Sequence, residues 1–106
     1  MKLHAIEYGA GSETLVILHG LLGSAQNWHS AARMLDSKVR VVIPDQRNHG
    51  ISPHDPEHSI EAMRRDLEKL IDQRHLKKFY LLGHSMGGHV AMNFAFHYPE
   101  KLHGLI

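Results

Sequence analysis

A serine between two glycines is the clearest chemical signal in the sequence. The stretch Gly83-His84-Ser85-Met86-Gly87 follows the apolar run 79–82 and precedes residues with helical periodicity. This order predicts a strand that turns sharply into a helix, with backbones nearly touching at the two glycines. The serine hydroxyl would lie beside the first N–H groups of the helix, whose positive end favours developing negative charge. Ser85 is therefore the candidate nucleophile.

Two further loops follow strand-like runs. His19-Gly20-Leu21-Leu22-Gly23 comes after the apolar run 14–18, and the polar loop 45–53 comes after the run 39–43. Ligands of open parallel sheets bind at the carboxyl ends of the strands. We therefore expect these two loops and the serine turn to meet at one edge of a sheet.

The elements that must position these loops alternate between strand and helix. Helices are expected after Ser24 and after Ser59, both of which suit an N-cap, and after Ser85 as far as Tyr98-Pro99. Such alternation predicts an α/β fold with a mostly parallel sheet and helices on both faces. The predicted strands are 3–8, 14–18, 39–43, 79–82 and 102–106.

Composition excludes several classes of function. The 106 residues suffice for one domain, and a net charge of +1 gives no support for binding nucleic acid or a membrane surface. Without cysteine there is no disulfide, thiol catalysis or thiolate–zinc site, and the 11 histidines are not at metal-ligand spacing. The sequence also has no signal-peptide pattern and no membrane-length apolar run. We expect a cytoplasmic protein without metal or cofactor.

The three loops together resemble the N-terminal signatures of the α/β-hydrolase fold superfamily. The middle one, Asp45-Gln46-Arg47-Asn48-His49-Gly50-Ile51-Ser52, is similar to that of the small YbfF-type serine esterases. The resemblance covers essentially the whole chain. It implies a three-layer αβα architecture, with residues 1–106 as the N-terminal portion of a single domain.

The resemblance also implies roles for three residues. Ser85 would form an acyl-enzyme with a small ester substrate. The backbone N–H groups of Leu21 and Met86 would form the oxyanion hole, in which each donor lowers the barrier by roughly 3 kcal/mol.

The remaining polar residues of the loops are expected to shape them. His84 is not expected to act as the base of Ser85, because neighbours on a tight turn point their side chains apart, and it is interpreted as making a local hydrogen bond. His19 is interpreted as shaping its loop by bonding nearby backbone. Asp45 and Arg47 are expected to pin the middle loop, and Gly50 to adopt a positive φ. His49 is interpreted as lining the pocket.

A serine hydrolase also needs a histidine base and an orienting carboxylate, which follow the serine in the chain order acid, then histidine. The candidates after Ser85 are His89, His97, Glu100 and His103, and all are expected on or beyond the helix that leads away from the apex. The chain is therefore interpreted as the N-terminal part of a longer hydrolase. In that case the strand 79–82 would lack most neighbours on one side and form an exposed edge.

Other functions remain open at this point. Thioesterase, lactonase, amidase and carbon–carbon bond hydrolase activities use the same fold, whereas a serine rather than an aspartate at position 85 argues against epoxide hydrolase and haloalkane dehalogenase chemistry. The alternatives from another class are an inactive fragment and a non-catalytic binding module.

Overall fold

The computed structural model describes residues 1–35 and 38–106, which form a five-stranded sheet with helices packed against it. The strands are β1 (Ala5–Tyr8), β2 (Thr14–Leu18), β3 (Arg40–Pro44), β4 (Phe79–Gly83) and β5 (Leu102–Leu105). Their order is β1-β3-β2-β4-β5, in which β1 runs antiparallel to β3 and the other pairs are parallel. The predicted mostly parallel α/β sheet is confirmed.

Three α-helices lie in the predicted places: α1 (His29–Leu35), α2 (Ile60–Gln73) and α3 (Met86–His97). The Ser59 hydroxyl accepts the Ala62 N–H at 3.1 Å and caps α2 as expected. The helix after Ser24 opens instead as a 3-10 turn over Ala25–Trp28 before α1 begins. None of the helices in the described ranges is long and apolar enough to cross a membrane.

The buried strand β2 separates two apolar layers. Leu15 and Ile17 point to the face covered by the 3-10 turn and α1, whereas Val16 and Leu18 point to the face covered by α2 and α3. This alternation follows from the two-residue period of a strand. Helices on both faces are thereby confirmed, and burial on both sides explains why β2 is apolar throughout.

The expected exposed edge at residues 79–82 is wrong. β4 lies between β2 and β5, and Leu81 pairs with both Val16 and Leu105. The residues from Leu102 onward complete a strand instead of leaving β4 unpaired. Within the described residues, the edges of the sheet are β1 and β5.

Candidate active site

The serine turn has the tight geometry that its glycines predict. β4 ends at Gly83 and α3 begins at Met86, so only two residues separate strand from helix. A Cβ on Gly83 would overlap the carbonyl of Gly87, and a Cβ on Gly87 would overlap the carbonyls of Leu18 and His19. The close approach predicted at both glycines is confirmed, and it seats α3 directly on the end of β2.

Ser85 adopts a backbone conformation that side chains rarely take. Its φ is 55° and its ψ is −117°, and the residue is exposed at the N-terminus of α3. A non-glycine residue at such a φ costs of order 1–3 kcal/mol, and such outliers cluster at functional sites. The structure therefore presents this serine to solvent on a strained bend.

The loop that follows β2 contains a type II turn over residues 20–23. Gly23 N–H donates to the Gly20 carbonyl at 3.0 Å, and Leu22 has a φ of 63° while that of Leu21 is not positive. The turn lies against the serine turn: a Cβ on Gly20 would lie 2.9 Å from His84 Nδ1. The two loops therefore meet as expected.

Several backbone N–H groups at this junction have no hydrogen-bond partner among the residues that the structure describes. They include those of Gly20 and Leu21 in the turn, of Ser85, and of Met86 at the start of α3. The roles of the Leu21 and Met86 N–H groups in an oxyanion hole, and that of Ser85 as nucleophile, stay predictions.

A cleft of about 610 Å³ opens beside the junction. Its wall combines apolar side chains with a few polar ones, and it includes His84 but not Ser85 itself. The lining residues are Gly20, Leu21, Leu22, Gly23, Asn27, Trp28, Ser30, Ala31 and His84.

The expected local hydrogen bond of His84 is wrong. Its ring lies edge-on to Trp28 at 6.0 Å between centroids, and within the described ranges its side chain makes no hydrogen bond. The prediction from sequence considered only the residues next to His84 in the chain. Its partner comes from the 3-10 turn after β2, which only the fold brings near.

His19 shapes the loops as predicted. It is fully buried, and its Nδ1 lies 2.8 Å from the Gly20 carbonyl while its Nε2 accepts the Gln46 N–H at 3.0 Å. These contacts fix the proton on Nδ1. Burial lowers the pKa of His19, although the bond to the Gly20 carbonyl acts in the opposite sense. With Nε2 accepting an N–H, the ring in this arrangement is the neutral form.

His49 plays a part that sequence reasoning missed. The residue is 8% exposed, and its Nε2 accepts the Leu22 N–H at 3.0 Å instead of facing the cleft. Its Nδ1 lies 2.9 Å from the Arg47 carbonyl. The pocket-lining interpretation is therefore wrong. No local pattern in the sequence reports a contact across 27 residues.

Asp45 pins the middle loop, as predicted. Its buried carboxylate accepts N–H groups from Ala25 at 2.7 Å and Ile51 at 3.2 Å, and it pairs with His4 at 3.2 Å. Burial alone would raise the pKa of Asp45, but these hydrogen bonds outweigh it and lower the pKa. Gly50 has a φ of 54° and packs onto the same carboxylate, so its predicted positive φ is confirmed.

Arg47 completes the anchoring of this loop. Its guanidinium donates to both carboxylate oxygens of the buried Asp66, at 2.7 and 2.9 Å. This ties the loop to α2 and confirms its pinning role.

The later acidic and histidine side chains do not pair with the serine turn. His97 bonds the Asn93 carbonyl on α3, and His103 lies 3.6 Å from Glu13 at the amino ends of β2 and β5. Glu100 is in the 3-10 turn before β5. His89 lies in the first turn of α3, where its backbone N–H donates to the Ser85 carbonyl at 3.2 Å, and within the described residues its side chain makes no hydrogen bond.

Comparison with known proteins agrees with this architecture. The family model described as alpha/beta hydrolase fold matches residues 13–106. The chain belongs to the α/β hydrolase fold family. Among solved structures, this α/β hydrolase chain superimposes on a marine microorganism esterase with a TM-score of 0.96 at 43% identity, covering 98% of this chain and 40% of that one.

Curated relatives in the α/β hydrolase family are enzymes. The chain is similar to the sn-1-specific diacylglycerol lipase ABHD11 of Danio rerio, with 46% identity over 92% of this chain and 32% of the relative. It is also similar to esterase YbfF of Escherichia coli, with 41% identity over 74% of this chain and 31% of the relative. The chain thus spans about a third of the length of these relatives.

Proposed function

We propose that the chain carries the nucleophile and the oxyanion hole of a serine hydrolase that cleaves carboxylic esters through an acyl-enzyme. The observation that carries this proposal is the strained, exposed Ser85, at φ 55° between β4 and α3. A residue that served only to link a strand to a helix would have no reason to keep that strain.

The unpartnered amides supply the second part of the mechanism. A general base takes the hydroxyl proton as Ser85 Oγ attacks the ester carbonyl carbon, and the carbonyl oxygen takes up negative charge as the tetrahedral intermediate forms. The N–H groups of Leu21 and Met86 donate to that oxygen. The intermediate then expels the alcohol, which receives the proton from the protonated base. Water, deprotonated by the same base, hydrolyses the acyl-enzyme, which releases the acid and returns the proton to Ser85.

The relatives support an ester as the substrate class. Their names describe an esterase and a diacylglycerol lipase, both of which act on carboxylic esters. The cleft next to the serine turn offers Leu21, Leu22 and Trp28 to an apolar substituent, with Asn27 and Ser30 as polar contacts. We propose a small-molecule ester with an apolar group in this cleft.

The proton-transfer partners are proposed to come from other residues of the full-length protein. Both ring nitrogens of His19 and both of His49 already make hydrogen bonds within the loops. The side chains of His97 and His103 make their contacts elsewhere on the fold. A base and a carboxylate brought beside Ser85 would complete the set that serine hydrolysis requires.

The test is labelling of the full-length protein with a fluorophosphonate probe, followed by peptide mapping and hydrolysis of p-nitrophenyl esters of graded chain length. Labelling at Ser85 and loss of both signals in Ser85→Ala are expected. Exposed Ser12, in the segment before β2, provides the matched control Ser12→Ala, which keeps the labelling. A folded protein that neither labels nor hydrolyses esters would favour the binding-module alternative.

A further inference from the structure

Leucine at position 22 is an unusual occupant of the turn over residues 20–23. The third position of a type II turn requires a positive φ, which glycine or asparagine adopts readily. Leu22 has a φ of 63° at this position. In the left-handed region a bulky side chain brings its Cβ close to the following carbonyl oxygen. The turn by itself therefore disfavours the side chain that it carries.

The contacts of Leu22 within the described residues do not account for a leucine either. Its N–H donates to His49 Nε2 at 3.0 Å, but every residue except proline would supply the same N–H. Its side chain is 90% exposed, so its burial contributes little. A favourable contact of this side chain would have to come from a group outside the described residues.

The position of Leu22 indicates which group that is. The residue lies at the rim of the cleft beside the serine turn, to which Leu21 and Trp28 add further apolar surface. An aliphatic chain that entered this cleft would cover part of the Leu22 side chain. Each methylene group that leaves water strengthens binding by roughly fourfold. A bound aliphatic chain thus provides the contact that the described residues lack.

We infer that Leu22 is a specificity-determining residue, whose side chain contacts the aliphatic part of the ester and favours long chains over short ones. The effect on hydrolysis rests on the proposed function, whereas the binding of an aliphatic chain in the cleft does not. The turn is less stable with leucine than with asparagine, and in exchange it presents an apolar side chain to the substrate. Backbone strain that is kept in this way is typical of functional positions.

Asparagine provides a matched replacement, because it is branched like leucine and similar in size but is polar and adopts a left-handed φ readily. In the full-length protein, Leu22→Asn is expected to lower the ratio of kcat/KM for p-nitrophenyl octanoate to that for p-nitrophenyl acetate by about threefold to tenfold. Because strain is relieved, the same variant is expected to raise the thermal midpoint by about 2 °C. Leu22→Met, which stays apolar, is expected to retain the wild-type ratio.

An exposed apolar residue outside the cleft provides the control. Met34 on α1 is 83% exposed and does not line the cleft, so Met34→Gln is expected to keep the ratio of the two substrates. A ratio for Leu22→Asn within about twofold of wild type would overturn the inference. A fall in the thermal midpoint of Leu22→Asn would also overturn it, because another part of the full-length chain would then bury this side chain.

Binding can be measured without turnover. Trp28 is the one tryptophan of the 106 residues, and it lines the same cleft. We expect ethyl octanoate to change the fluorescence of the full-length Ser85→Ala variant, with the Trp28 signal identified by its loss on adding Trp28→Phe. Adding Leu22→Asn to Ser85→Ala is expected to weaken the apparent affinity by about threefold to tenfold.

The two proposals fail in different ways. Equal affinities of Ser85→Ala with and without Leu22→Asn would overturn the role of Leu22, whatever the enzyme hydrolyses. A weakened affinity in a protein whose wild type hydrolyses no ester would instead count against the proposed function. The contact between Leu22 and an aliphatic chain would then stand.

Discussion

Two loops at the carboxyl edge of the sheet are held in different ways. The loop after β3 is tied down by side chains: the Asp45 carboxylate, the Arg47 guanidinium and the His49 ring each bond groups outside the loop. The serine turn is held by backbone packing, in which Gly83 and Gly87 let α3 approach β2 and β4 closely.

This difference tells which changes each loop tolerates. Where side-chain acceptors hold a loop, removing an acceptor or protonating it breaks the structure, whereas added methyl groups at exposed positions are tolerated. Where backbones touch, a single added carbon displaces main chain that has no room to move. A strained serine is kept in place best by the second arrangement, because packed main chain has few alternatives.

The largest effect is expected from an added methyl group in the serine turn. Gly87→Ala would drive a carbon into the carbonyls of Leu18 and His19, so we expect a loss of about 3 kcal/mol or more in the free energy of unfolding. Its neighbour provides the matched control. Gly88→Ala meets Gly83 no closer than 3.4 Å and lies inside α3, so it is expected to raise stability by about 0.5–1 kcal/mol. Urea denaturation curves that coincide for the two variants would contradict backbone packing as the cause.

Removing the Asp45 carboxylate should have the next largest effect. Asp45→Ala leaves the N–H groups of Ala25 and Ile51 without their acceptor, and we expect a loss of about 2–3 kcal/mol. Asp45→Asn retains one oxygen for Ala25 and should lose less. The same urea titration measures both, and a neutral Asp45→Ala would show that the loop does not depend on this side chain.

Lowering the pH should reduce the free energy of unfolding through His19, whose Nε2 accepts the Gln46 N–H of the loop after β3. The pKa of His19 is lowered in the folded protein, so below about pH 6.5 the unfolded chain binds the extra proton first. Its contribution to stability is present above that pH and is lost as pH falls toward the folded pKa, with a slope of at most about 1.4 kcal/mol per pH unit. In His19→Gln, whose amide oxygen still accepts the Gln46 N–H, this part of the slope should vanish. An unchanged slope in stability measured between pH 7 and pH 5 would contradict the assignment.

The smallest effect concerns the strain at Ser85. Ser85→Gly is expected to be about 1 kcal/mol more stable than Ser85→Ala, because glycine adopts a φ of 55° freely and alanine does not. Both variants should lose fluorophosphonate labelling. Equal thermal midpoints for the two would mean that the bend stores no strain.

Much of the fold could be predicted because local sequence patterns determine it. The alternating burial along β2, the N-cap at Ser59 and the glycines around Ser85 each act within a few residues. The side-by-side pairing of β4 and β5 was missed because periodicity identifies strands without naming their neighbours.

In the candidate site, too, the features that depend on neighbouring residues were predicted and those that depend on distant residues were not. The strained serine was expected from Gly83 and Gly87, which lie two residues to either side of it. The partners of His84 and His49 were not expected, since Trp28 and Leu22 are distant in sequence and reach them only through the fold. Buried polar groups need partners, but the sequence does not say which.

The central position of β2 in the sheet also affects how the chain folds during translation. Val16 pairs with Val42 on one side and with Leu81 on the other, so its second neighbour leaves the ribosome roughly forty residues after its first. At elongation rates of about 5–20 residues per second, the nascent chain spends roughly 2–8 s with the apolar flank of this strand unpaired. A chaperone that binds such extended apolar segments would find its target here during translation.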